Sequence, residues 1–374
     1  MIKTATITYH ASHNYGSMLQ AYSLQKTLYK LGFQNEIINL RTLKQKKLYK
    51  YPYNGVPQSL KELLIDIKHL PFKKDLQKKY LLFEKFLKDE LITTKEFSTE
   101  KELKEANLNY DCFIAGGDQI WNTFPQDFDW SFYLTFTDKK KISYSVSMGP
   151  HAEKEVSNRK RISELLNKFS NISVREEGTK EVINKICDKN IYIHIDPTLL
   201  LTTNEWKSMS GDKRIIDEEY ILVYSPLYNK DAYKIALKIG KMYNIKVITS
   251  NHVIYHKPIT WGLKYHLATG PKEFLNLVNN AKLVVCGSYH AILFSKIMET
   301  PFLAINGNTD NRMNTFLSRT GLMERSVSMK DPLIMNKIKN KDFIFNCNFD
   351  KANEYIEEEK KKSFDYLIKA IGTI

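Results

Sequence analysis

Residues Leu283–Cys286 form an apolar run that breaks at Gly287 and continues through Ser288, Tyr289 and His290 into a second run, Ile292–Met298, with a helical pattern. A short unbroken apolar run bounded by glycine is the signature of a strand buried on both faces, and such strands belong to parallel sheets covered by helices. The same unit opens the chain. Ile2–Tyr9 reads as a strand and Ser12–Ser17 as a polar turn containing Gly16, while Met18, Ala21, Leu24, Leu28 and Leu31 fall at helical spacing as far as Gly32. Glu36–Leu40 follows as another strand. Strand, loop, helix and strand in this order predict an α/β fold, with ligands beyond the carboxyl ends of the strands.

Further strands are predicted at Tyr110–Ala115, Lys141–Ser147, Ile172–Val174 and Ile191–Ile195. A second α/β series comprises Tyr220–Tyr224, a helix over Ala232–Tyr243, Lys246–Ser250, the opening motif and Pro301–Ile305. A chain of 374 residues exceeds the size at which one apolar core stops growing, so two lobes are expected. We divide it into a first lobe at 1–200, a linker at 201–219 anchored by Trp206, a second lobe at 220–350, and a C-terminal helix at 351–374 able to pack back across the lobes. Residues 41–108, rich in Lys, Tyr and Leu and containing Pro52, Pro57 and Pro71, are expected to form a helical insertion in the first lobe.

The 56 basic against 42 acidic residues leave a formal charge of +14, which suits an anionic substrate, an anionic membrane surface or nucleic acid. Nucleic acid is not expected as a partner, because no binding motif or stacking platform is present. The acid-free cluster Arg41, Lys44, Lys46, Lys47 and Lys50, interleaved with Leu48, Tyr49, Tyr51 and Tyr53, suits peripheral contact with an anionic membrane; a solvated loop is the plain alternative. Cys112, Cys187, Cys286 and Cys347 are too scattered for a metal or disulfide pattern, so no metal site is expected. Met1 leads straight into a strand pattern, and no apolar stretch approaches the roughly 20 residues that span a bilayer. The expected location is cytoplasmic.

Candidate site residues cluster at the predicted strand ends. Gly287 and Ser288 open a helix whose N–H groups favour an anion, and His290 there can serve as cation, proton donor or base; the structural alternative is a histidine that caps the turn or packs in the core. Asn14, Gly16 and Ser17 occupy the first strand-to-helix turn. Gly116 and Gly117 permit close backbone approach beside the Asp118 carboxylate, with Gln119 next; the structural alternative is a tight turn in which Asp118 caps a helix. Arg175, where an apolar strand gives way to Glu176 and Glu177, can grip a carboxylate or phosphate with two parallel hydrogen bonds, or pair with either glutamate at the surface. Arg312, Tyr289 and Ser147 complete the set.

These pieces, in order, resemble the polysaccharide pyruvyl transferase family. The matching segments are His13-Asn14-Tyr15-Gly16-Ser17 with Leu19-Gln20-Ala21-Tyr22, Gly117-Asp118-Gln119-Ile120-Trp121-Asn122, Ile142-Ser143-Tyr144, Ile172-Ser173-Val174-Arg175-Glu176 and Asp196-Pro197-Thr198-Leu199-Leu200. They continue through Gly270-Pro271, Glu273-Phe274-Leu275, Ser288-Tyr289-His290, Phe294-Ser295 and Pro301-Phe302. The resemblance implies two Rossmann-like lobes facing a cleft, as in GT-B glycosyltransferases. It also implies transfer of a pyruvyl group from phosphoenolpyruvate to a sugar, with His290 and Arg175 in donor binding or catalysis; we expect the acceptor to be a sugar or lipid-linked oligosaccharide, its precursor being lipid-linked or nucleotide-linked. Two departures stand out: the usual Ser-Phe-His-Gly reads Ser288-Tyr289-His290-Ala291, and Ser17 stands where some members carry an acid. Ketal formation needs no redox cofactor. It needs a proton for the enolpyruvyl methylene and support for the leaving phosphate, for either of which His290 is the candidate, and an acceptor hydroxyl positioned or deprotonated, for which Asp118 is the candidate. The rival expectations are a glycosyltransferase using a nucleotide sugar and a catalytically silent glycan-assembly protein.

Overall fold

The computed structural model describes residues 1–52, 64, 67, 69–251 and 262–372. Strands β1 (Lys3–Ile7), β2 (Gln34–Ile37), β3 (Cys112–Gly116) and β4 (Lys141–Tyr144) form a parallel sheet in the order β2-β1-β3-β4. β5 (Ile172–Val174) pairs with β6 (Ile191–Ile193), and the single bridges Ile142 to Asn171 and Val146 to Val174 lay this pair along the β4 edge. The second lobe holds β7 (Tyr220–Tyr224), β8 (Lys246–Thr249), β9 (Lys264–Tyr265), β10 (Leu283–Cys286), β11 (Phe302–Ile305) and β12 (Ser326–Val327). Their order is β12-β11-β10-β7-β8-β9, again parallel throughout. The architecture is therefore the α/β pair of Rossmann-like lobes anticipated from the strand spacing and the family motifs. Every residue of β3, β7, β10 and β11 is buried, which is why these strands read as continuous apolar runs.

Connectivity places the cleft. In the first sheet the chain runs from β1 out to β2, then returns to lay β3 on the other side of β1; in the second, β8 and β9 lie on one side of β7 and β10 on the other. At such reversals the loops leaving neighbouring parallel strands diverge and open a crevice. The two crevices face each other. Between the lobes lies a shared apolar core in which Cys112 and Ile114 of β3 join Val284 and Cys286 of β10, while Phe113 and Val285 point into separate outer clusters. Tyr15 fastens this seam. Its ring stacks on Phe274 at 4.4 Å between centroids, and its hydroxyl donates to the Thr269 carbonyl at 3.2 Å.

Between β6 and β7 a helix, Thr203–Ser210, begins with a capping box of Thr202 and Glu205. Trp206 on it is fully buried and donates from its indole Nε1 to the Thr198 carbonyl at 2.9 Å. A last helix, Asp350–Ile371, starts on the second lobe, where Phe349 packs on Phe302, and ends on the first. There the Tyr366 hydroxyl donates to the Ser143 carbonyl at 2.8 Å, and the Ile371 carbonyl accepts from Lys140 Nζ at 2.9 Å.

The insertion is helical over Leu43–Leu48, Lys73–Glu90 and Glu100–Ala106; Pro57, like Tyr53 of the basic cluster, lies outside the described residues. Thr93 and Phe97 bridge to Ile37 and Leu40, so part of the insertion also borders the β2 edge. The basic cluster is less uniform than its sequence suggests. Arg41 forms a two-pronged pair with Glu84 at 3.0 and 2.9 Å, Lys46 pairs with Glu96 at 2.5 Å, and Lys44, Lys47 and Lys50 remain exposed.

Candidate functional site

The carboxyl ends of β1, β3, β7 and β10 meet across the lobes around a cavity of about 270 Å³. Tyr9 and Ser12 after β1, Asn14 and Ser17 at the next helix start, and Asp118 and Gln119 after β3 line its first-lobe side. Pro226 and Leu227 after β7, the Gly287–His290 turn after β10, and Arg312 line the other.

Asn14 Oδ1 accepts from the Gly16 N–H at 3.0 Å and the Ser17 N–H at 3.4 Å. This side-chain cap starts the helix at Tyr15, so Gly16 and Ser17 belong to its first turn and not to the polar loop expected from the sequence. The helix is pressed against the second lobe. A Cβ on Gly16 would stand 2.2 Å from the His290 ring, so only glycine admits the histidine at this distance.

Gly117 and Asp118 both adopt left-handed backbone, with φ of 63° and 54°, and a side chain on Gly117 would collide with Gln20. For aspartate this conformation is strained. It is held by two bonds: Asp118 Oδ1 accepts from the Gln119 N–H at 2.8 Å, and Oδ2 accepts from the Ser17 hydroxyl. No helix follows Asp118, so the capping alternative does not apply. Its carboxylate instead joins the β3 end to the first turn of the neighbouring helix.

Across the cavity, the Tyr289–Ile297 helix begins at Ser288, whose side chain makes no capping bond. Tyr289 lies beneath two guanidinium groups, Arg175 at 5.2 Å and Arg312 at 5.7 Å from its ring centroid. Arg312 is held by Asp310, with Nε donating to Oδ1 at 3.1 Å and Nη2 to Oδ2 at 2.7 Å. The carboxylate pair raises its affinity for its proton against the opposing effect of burial.

Arg175 is buried behind Tyr289, off the cavity wall, with its side chain only 1% exposed. Its Nη2 stands 3.0 Å from Asp196 Oδ2, and the same oxygen stands 3.5 Å from His290 Nε2. Neither surface glutamate pairing expected as the alternative is present: Glu177 pairs with Arg319, and Glu176 is fully buried. Burial works against ionisation of Asp196, but Arg175 and then His290 hold its carboxyl well below the usual range. Asp196 Oδ1 is fixed by the Thr198 N–H at 2.8 Å and hydroxyl at 2.7 Å. Among the described residues none of the Arg175 guanidinium nitrogens makes a hydrogen bond, and the buried His290 Nε2 has none either.

Ser147 also lies away from the wall. It donates to Glu176 Oε1 at 2.8 Å, beside a second bond from the Thr179 hydroxyl, and burial pushes the Glu176 carboxyl up to about 7 despite Arg175 and these donors. Asp196 and Glu176 both stand within the family-like motif segments, but nothing in their spacing marks either as a site residue. Tyr9, Ser12, Tyr49 and Asp127 also line the cavity; no sequence signal marks them for it, and Tyr49 belongs to the basic run that suits a membrane surface.

A family model for polysaccharide pyruvyl transferase matches residues 14–309. No significant match exists among curated proteins. Of solved structures, UDP-GlcNAc 2-epimerase from Methanocaldococcus jannaschii is 14% identical with a TM-score of 0.52, covering 95% of this chain and 98% of its own. The Neisseria meningitidis UDP-GlcNAc 2-epimerase, bound to UDP-GlcNAc, is 13% identical with a TM-score of 0.52 and 99% coverage of both chains. An alpha-glucosyltransferase in complex with UDP and a 13-mer DNA is 8% identical with a TM-score of 0.54, again covering 99% of each chain. At these identities the GT-B likeness speaks for the fold alone.

Proposed function

This chain belongs to the polysaccharide pyruvyl transferase family, and we propose that it moves the enolpyruvyl group of phosphoenolpyruvate onto two hydroxyls of a sugar in a glycan precursor, releasing phosphate. The observation that carries this reading is the division of the cavity wall. Ser288, His290 and Arg312 supply a helix start, an imidazole and a guanidinium on the second-lobe side, while Asp118 and Asp127 supply carboxylates on the first. A phosphate and carboxylate donor suits the former, and a neutral polyol suits the latter.

In the proposed reaction His290 delivers a proton to the methylene carbon, and the electron-poor carbon beside it is attacked by a sugar hydroxyl. Asp118 positions that hydroxyl or takes its proton. Phosphate then leaves, and the second hydroxyl closes the ketal. Of the two hydroxyl protons, the balance leaves one on the new methyl group and the other on phosphate. Arg175 and Asp196 act as positioning residues: Asp196 meets His290 from behind, and Arg175 holds the Asp196 carboxylate there. Neither needs to touch the donor.

Incubating the protein with phosphoenolpyruvate and a glycan precursor fraction should release phosphate and add one pyruvyl ketal to the acceptor by mass. Release of a nucleotide from a nucleotide sugar without consumption of phosphoenolpyruvate would favour a glycosyltransferase; consumption of neither donor would favour a silent assembly protein. Among the described residues no helix is long and apolar enough to cross a membrane. We place the reaction in the cytoplasm, with a lipid-linked acceptor met at the inner membrane face through the exposed Lys44, Lys47 and Lys50. Binding to anionic vesicles should be weak, released by salt and lowered by neutralising these lysines.

A further inference from the structure

We propose that Tyr9, Ser12, Tyr49 and Asp127 form a subsite that recognises adjacent hydroxyls of a neutral pyranose, and so select the acceptor. The inference rests on the pyruvyl-transfer reading for the word acceptor, but the subsite is argued from its own groups. All four residues line the cavity on the side of Asp118. Tyr9, Ser12 and Asp127 are each more than nine-tenths buried. The Tyr9 hydroxyl and Ser12 Oγ have no hydrogen-bond partner among the described residues. Buried hydroxyls are rarely left so, because an unmade bond forfeits the hydration they gave up on folding. Two such groups on the wall of one cavity point to a hydroxyl-bearing ligand.

The surrounding charge narrows its class. Asp127 and Asp118 repel phosphate and carboxylate, whereas a carboxylate accepts readily from a sugar hydroxyl. Burial first, then Asp127 and Asp118, holds the Tyr9 phenol protonated far into alkali, so it is a lasting donor and acceptor. Tyr49 approaches Asp127 with its hydroxyl 3.4 Å from Oδ2, a long contact that a ligand hydroxyl can replace. The rings are held in place: Tyr9 packs on Phe132 at 4.7 Å, and Tyr49 stacks on His13 at 5.6 Å. His13 is itself bonded to Glu84 at 2.9 Å. Both Tyr49 and Glu84 come from the insertion, which thereby contributes to acceptor choice.

The test compares wild type with Asp127→Asn, Tyr9→Phe and Tyr49→Phe, each near-isosteric and each checked by thermal melting. Binding of methyl glycosides of galactose, glucose, mannose and N-acetylmannosamine is read by saturation-transfer NMR, and phosphoenolpyruvate by calorimetry. At least one glycoside should bind wild type. Asp127→Asn and Tyr9→Phe should weaken it by roughly tenfold or more, the scale of one buried hydrogen bond, while donor affinity stays within about twofold. Equal loss of donor and glycoside, glycoside binding indifferent to the folded variants, or no glycoside bound by wild type overturns the subsite. Glycoside binding that depends on Asp127 in a protein that ignores phosphoenolpyruvate supports the subsite and defeats pyruvyl transfer. Donor binding without dependence of the glycoside on Asp127 does the reverse.

Discussion

At the scale of single residues, the Asp196 carboxylate matters most for holding the site, because Arg175 and His290 both approach one of its oxygens. Removing its charge leaves a buried guanidinium uncompensated, so Asp196→Asn should cost about 3–5 kcal/mol at neutral pH in chemical denaturation. A folded-state pKa below the unfolded value means stability present above about pH 4 and lost as pH falls further. The gap between variant and wild type should therefore narrow in strong acid; a gap constant with pH would deny the ion pair. Glu176 has the opposite sign. Its carboxyl sits near 7 when folded, so wild type loses stability as pH rises from the unfolded carboxylate value through about 7. Glu176→Gln should gain on wild type between pH 5 and pH 8.5, by about 1–3 kcal/mol, and parallel melting curves across that range would refute this.

Among the elements, the two helices that begin at Tyr15 and Tyr289 are coupled at a point, Gly16 against the His290 ring. His290→Ala should lower turnover by about 100-fold to 10,000-fold, the span of general acid catalysis. Gly16→Ala should do much the same by displacing the ring, although glycine itself supplies no reacting group. Combined, the two should be no worse than His290→Ala alone, since the methyl group then enters the space the imidazole left. Additive losses in this cycle would mean that Gly16 serves the site through something other than His290.

For the whole molecule, the shared core predicts linked unfolding. Apolar side chains from both lobes belong to one buried cluster, and Tyr15, Phe274 and Leu367 within it are nearly or fully inaccessible. Ordinary interdomain contacts are more polar and leave the domains separable. Calorimetry should accordingly show one dominant transition, with two well-separated transitions contradicting this account.

What the sequence determined by itself was the repeating order of elements. Continuous apolar runs such as Leu283–Cys286, too short for a helix and bounded by glycine, read as strands covered on both faces, and the glycines after Ala115 and Cys286 mark where the chain turns into the cleft. That local chemistry is enough to place His290, Asp118, Asn14 and Ser17 at strand ends, because side-chain period and turn residues act over a few positions. Tertiary structure decided which of these groups share a cavity and which are held elsewhere. Arg175 lies behind Tyr289 because β5 and β6 are neighbours and bring Asp196 to it, a pairing that no spacing along the chain announces. Tyr49 looked like part of a solvent-facing basic run, yet the fold of the insertion carries it to Asp127, and Tyr9 read as the last residue of an ordinary strand. Such residues carry no periodic mark of their own. Their roles arise only where separate segments converge, which the packing of the two sheets determines.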